Sequence, residues 1–184
     1  ILAANADLAW MLAAFVFVLL MFPGLAFFYG GMVGSKNVLN IMTMVMSTLA
    51  LTAVLYVVIG HGLVSGPSVG GWGLIGNPTD YIGLTNWLTD DASGATQTLY
   101  FAAWFILFAA ITIAIVASGA AGRMKFSAWL VFAPIWLIVV YFPVAQWVFA
   151  ADVDDNYSGG FLLNDLEIVD YAGGTAVHMN AGVA

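Results

Sequence analysis

Leu99-Tyr-Phe-Ala-Ala-Trp104-Phe-Ile-Leu-Phe108-Ala-Ala-Ile-Thr-Ile-Ala-Ile-Val-Ala117 runs without one charged side chain. A helix of this kind has no polar face to offer water. It has the roughly 20 apolar residues that a bilayer's hydrocarbon core requires. Arg123-Met-Lys125 closes the run, and a second begins at Ser127. Outward from this pair, apolar runs lie at about 8–33, 37–60, 97–121 and 127–149, each long enough to span as a helix. A fifth starts near Ile168 and covers about 168–184, at the short limit for a span. The connections 61–96 and 150–167 carry Gly66-Pro67-Ser68, Asn77-Pro78 and Asp154-Asp155-Asn156-Tyr157-Ser158-Gly159-Gly160, which are turn formers.

Composition agrees. Of 184 residues, 63% are hydrophobic and 7% charged, where soluble domains carry about 25% charged residues. The expected fold is an all-α polytopic membrane protein, one transmembrane domain of about five helices. The first apolar run is too long for a signal-peptide core and reads as a span. Cysteine is absent, which excludes disulfides, zinc-thiolate sites and thiol nucleophiles. No phosphate loop, zinc-protease helix, nucleophile elbow or basic nucleic-acid patch occurs. The expectation is therefore not an enzyme, with no cofactor, no metal and no nucleic-acid partner; the bilayer itself is the first partner.

Charge gives a topology. Lys36 lies between spans one and two, and Arg123 and Lys125 between spans three and four; these are all the Lys and Arg of the chain. Asp7, Asp80, Asp90, Asp91 and the acids from Asp152 to Asp170 fall on the opposite side. The positive-inside rule then puts the N terminus and both long loops outside a cell membrane, plasma or inner. An acidic outer face either raises the local cation concentration at a pore mouth or is a solvated surface.

Within this apolar frame, Asp170-Tyr-Ala-Gly-Gly-Thr-Ala-Val-His178-Met-Asn180 stands out. Ionisable groups in membrane segments cost about 2.5–3.5 kcal/mol at the centre and mark pathways. Asp170, Gly174, His178 and Gly182 recur every four residues, which predicts one helix face with His178 about 12 Å below Asp170. Asp170 is expected to cap this helix through the N–H of Ala172 or Gly173. His178 has no carboxylate one turn away, and burial would favour its neutral ring. It reads either as a pore or proton-handling group or as a packing histidine. His61 reads as interfacial. Pro23, Pro134 and Pro143 are expected to bend or open their helices. Trp104, Phe105, Phe108, Trp147 and Phe149 gather near the outer ends of spans three and four. They form either an interfacial belt or a cation–π site for a small ammonium-like ion.

The stretch from Asp170 to Gly182 resembles the fifth-helix signature of the Amt/Mep/Rh ammonium transporters. Pro23-Gly-Leu-Ala-Phe-Phe-Tyr-Gly-Gly31, Lys36-Asn37-Val38, Arg123-Met-Lys-Phe-Ser-Ala-Trp129 and Tyr141-Phe-Pro-Val-Ala145 agree in order and spacing. The resemblance implies a homotrimeric, channel-like transporter of eleven spans per subunit. This chain matches its first half-repeat; the second half-repeat would supply another pore histidine and a vestibule serine. It also implies ammonium or ammonia as substrate and a cytoplasmic regulatory protein as possible partner. His178 matches the first pore histidine and Phe108 a gating phenylalanine; Asp170 matches the acid beneath the vestibule. Trp104 and Phe149 match its aromatic wall. The sequence departs from the family pattern at Phe149, where many members have tryptophan, a stronger cation–π partner with an indole N–H. Gln146, Phe105 and Gly122 depart too, from a histidine, a glutamine and an acid. Alternative readings are an ammonium sensor on the same membrane fold or a non-transporting homologue.

Overall fold

Small residues on one face of the third long helix let its neighbours approach closely. Ala102, Ala109, Ala110, Ala114 and Ala117 are all buried there, against Ile41, Met44 and Val45 of the second helix. A computed structural model of the chain describes residues 2–87, 92–152 and 158–184. Asp90, Asp91 and the acidic stretch 154–157 lie outside the described residues. Four helices carry the fold: α1 (Leu2–Met32), α2 (Ser35–Ser65), α3 (Ala92–Ala120) and α4 (Phe126–Phe149). Each is long and apolar enough to cross a membrane. α2 packs on α1, α3 and α4, so it sits at the centre of the bundle. No strand forms among the described residues; Ser68 and Gly76 make a single antiparallel bridge within one loop.

Four of the five expected apolar runs lie in helices of membrane length, whose ends differ from the pattern. α1 begins at Leu2, so Asp7 lies inside the helix rather than before it; the alanine-rich start continues the helix without a stop signal. α2 runs on to Ser65. His61 is consequently not interfacial. It is 1% exposed, with Tyr56 Oη 3.1 Å from its Nδ1 and the Tyr81 ring 5.3 Å away, centroid to centroid. The loop after α2 folds back over this last turn and covers it.

α2 and α4 each open into one π-helical turn, at Tyr56–Gly60 and Leu137–Tyr141. The α4 turn lies between Pro134 and Pro143, and Pro143 has no N–H to donate to the preceding turn. The two wide turns meet: the Tyr56 and Phe142 rings stand edge to face at 6.0 Å.

The two ends of the bundle are built differently. At the short-turn end, Lys36, Arg123 and Lys125 are exposed, and Asn40 Nδ2 donates to Met124 O at 3.0 Å. At the long-loop end, segments 66–87 and 158–173 interlock. Ser68 N donates to Ser158 O at 2.8 Å, and Phe161 N to Gly73 O at 3.1 Å. Asn164, at the end of a short helix α5 (Phe161–Asn164), donates to Ala150 O and Gly160 O at 2.9 and 2.7 Å and accepts from Asp152 N.

Candidate functional site

The chain returns into the bundle at Asp170. The fifth helix begins later than the apolar pattern predicts: a π turn over Gly174–Met179 continues into Asn180–Val183, and together these form α6. Asp170 precedes it and is not on a helix face with His178. The reason is local. Gly173 takes a left-handed backbone, φ +80°, and blocks any helix from running through from Asp170. A side chain there would also strike Val177, with Phe108 Cε1 3.3 Å away.

Asp170 does cap the helix, on other donors than expected. Its carboxylate accepts from Gly174 N at 2.7 Å, Thr175 N at 3.0 Å and Ala176 N at 2.9 Å. Three N–H groups with no partner inside the helix therefore meet one anion at the positive end of the helix dipole.

His178 is held by the same turn. Its Nδ1 lies 3.1 Å from Gly173 O, which also accepts from the main-chain N of Val177 and of His178, both at 2.9 Å. A carbonyl only accepts, so Nδ1 carries the proton and donates. In the neutral ring, Nε2 is then left with a lone pair. The ring is exposed on this chain rather than buried, and Met179 and Val183 beside it are exposed as well.

Above Gly173 stand the aromatic rings. Trp104 and Phe108, one turn apart on α3, have centroids 5.1 Å apart. Phe149, from the last turn of α4, reaches Phe108 edge to face at 6.4 Å and Phe105 at 5.4 Å. The expected group is thus brought together, except Trp147. Its indole points away: Nε1 donates to Leu74 O at 2.7 Å and its ring meets Phe161 at 5.5 Å. The result is a row of neighbours, from Trp104, Phe105 and Phe149 to Phe108, then past Gly173, whose lack of a side chain leaves room beside Phe108, to His178.

Two participants are not visible in the sequence pattern. Thr112 is fully buried and donates to Phe108 O at 2.7 Å, tying off the carbonyl one turn back. A threonine in an apolar helix commonly bonds this way, so its type alone is no signal. The Gly173 carbonyl sets the His178 ring, whereas the sequence marks Gly173 only as a place without side-chain bulk that another backbone or a permeant can approach. Among the described residues no cluster of three or more His, Asp or Glu side chains is placed to hold a metal ion.

The similarity to known proteins extends over nearly the whole chain. Residues 9–184 match the model of the Ammonium Transporter Family. The chain is 56% identical over 179 residues to an ammonium transporter of Corynebacterium glutamicum, covering 97% of this chain and 39% of that protein. It is 46% identical over 194 residues to an ammonium transporter of Mycobacterium tuberculosis, covering 97% of this chain and 40% of that one. Among solved structures, Saccharomyces cerevisiae Mep2 superposes with a TM-score of 0.82 at 29% identity, over 97% of this chain and 38% of Mep2. A protein described as a sensor Amt protein shares the fold, with a TM-score of 0.83 at 22% identity over 97% of this chain and 42% of its own. The chain therefore spans 39–40% of the length of these curated relatives. With four membrane-length helices in the same arrangement and a match that leaves out only the first few residues, this multi-pass membrane chain belongs to the Ammonium Transporter Family.

Proposed function

We propose that the full-length protein carries ammonium across a cell membrane as a channel-like transporter, with this chain supplying one wall of the pore. The observation that supports this best is the continuity from the aromatic cluster through Phe108 and Gly173 to His178. Relatives named ammonium transporter support the substrate.

In this reading the long-loop end faces outside. NH4+ gathers against the π faces of Trp104, Phe108 and Phe149, each ring worth about 0.5–2 kcal/mol to a partly desolvated cation. Asp170 adds a fixed negative charge. Its oxygens are engaged by three N–H donors, so it acts through its field rather than as a direct ligand. Moving a bare ion onward into a low-dielectric passage costs on the order of 20 kcal/mol. A neutral molecule escapes that cost. NH4+ therefore gives up one proton to water at the vestibule or to a separate relay, and NH3 passes Phe108. NH3 then donates an N–H to the lone pair of His178 Nε2. Only an N–H bond is broken and re-formed, so the protein is a transporter and not an enzyme. A homotrimer and a cytoplasmic regulator belong to this proposal as the family resemblance implies them.

The test is His178→Ala in the full-length protein, measured as methylammonium uptake by proteoliposomes. Uptake is expected to fall at least about ten-fold or to lose selectivity against potassium, a change of about 1.4 kcal/mol or more at the barrier. Unchanged flux and selectivity overturn the pore assignment.

A further inference from the structure

The last turn of α4 carries Phe149 into the aromatic cluster, and two neighbouring side chains tie that turn to a distant loop. Gln146 is fully buried, and its Nε2 donates to Gly66 O at 3.2 Å. Trp147 Nε1 donates to Leu74 O at 2.7 Å. Gly66 and Leu74 belong to a loop that closes on itself: Asn77 N donates to Pro67 O at 2.9 Å and Val69 N to Ile75 O at 2.9 Å. The other amide atom, Gln146 Oε1, is buried beside Gly76 and has no hydrogen-bond partner among the described residues, so the bond to Gly66 is the one that fixes the side chain. A Cβ on Gly76 would lie 2.9 Å from Gln146 Oε1 and 2.7 Å from Leu63 O. Gln146 is three residues before Phe149, so the two lie within one turn of the helix. Trp147 sits near the rim, where a single neutral bond is worth little. Gln146 is buried at the junction of α2, α4 and the loop, where a lost donor leaves a carbonyl without its partner.

We propose that Gln146 is a positioning residue for the aromatic cluster: its bond to Gly66 O fixes the last turn of α4 to loop 66–77 and so sets where the Phe149 ring stands. This rests on the transport reading above, in which Phe149 meets the incoming ion. Gln146 does not touch the ion, so its removal weakens recruitment and leaves the passage past His178 unaltered.

The test compares the unmodified full-length protein with Gln146→Met, which keeps length and loses the donor, and with Gln146→Asn, whose amide is one methylene too short. Methylammonium uptake is measured in proteoliposomes and normalised to folded transporter. The expected result is a KM raised roughly two- to ten-fold in both variants, the range for one lost hydrogen bond, with Vmax within about two-fold. In the double variant Gln146→Met/Phe149→Leu, KM should match that of Phe149→Leu alone, because residues acting through one another are not additive. An unchanged KM in the single variants overturns the proposal, and so do KM effects that multiply in the double variant. Failure of both single variants to give folded protein overturns it too, because Gln146 is then a structural requirement. If the unmodified protein moves no methylammonium, the transport reading fails; if it does and Gln146→Met is indistinguishable from it, only this proposal fails.

Discussion

The two ends of the bundle join the same helices by opposite means. At the short-turn end, α3 and α4 are linked by a tight turn that leans on α2 through one long side-chain bond, Asn40 to Met124 O. The cations there are exposed. At the long-loop end, Gln146 and Trp147 bond to main chain 80 and 73 residues away, and Asn164, Asp152 and Asp170 bond to main chain 14, 7 and 4 residues away. Both π turns of the long helices, and that of α6, lie towards this second end, where π turns commonly accompany function. The difference teaches where precision is needed. One end has only to reverse the chain, whereas the other holds aromatic rings from separate helices in one cluster.

If that contrast is real, crowding the long-loop end should do the most damage. Gly160 packs on the carbonyls of Gln146 and Trp147, and a Cβ there would stand 2.5 Å from Trp147 O, with backbone that cannot swing aside. Gly160→Ala is expected to destabilise by about 3 kcal/mol or more, read as a fall in detergent melting temperature or as loss of folded protein. Asp170→Ala removes the acceptor of three N–H groups and should cost about 2 kcal/mol, with loss of methylammonium uptake. Asp170→Asn sharpens the point. It keeps one acceptor oxygen but turns a donor NH2 towards the N–H bonded to the other, so it should cost about 1 kcal/mol, less than Asp170→Ala, while uptake falls as far as in Asp170→Ala. At the other end, Asn40→Ala should cost only about 0.5–1 kcal/mol and leave the uptake KM unchanged. A larger effect from Asn40 than from Asp170 would break the comparison.

What the sequence shows follows the range of the interaction. Unbroken apolar runs are local and large, so four helices can be read from them directly. Trp104 and Phe108 share a face because they are four residues apart on one helix. Phe149 joins them across two helices; its place near the outer end of span four groups it with them, as it also groups Trp147, which the structure turns away. The Asp170 cap was legible in kind but shifted in register. Its donors are Gly174 to Ala176, because the left-handed turn at Gly173 leaves no trace in an apolar pattern. His61 was misread for a related reason, since its burial depends on Tyr81 and the loop folding back over it. Pro143 hints at the opened turn in α4, whereas no residue type marks the matching one in α2.

The bond from His178 Nδ1 to Gly173 O has a consequence for what a second proton can do. Were Nε2 to take up a proton, Nδ1 would go on donating to the same carbonyl, and nothing would require the ring to turn. Only the sign of the offer at the outward nitrogen would reverse, from a lone pair that welcomes N–H to an N–H that repels it. The imidazole is thus mounted like a fixed vane whose two faces differ by one proton, and the glycine carbonyl is its hinge pin.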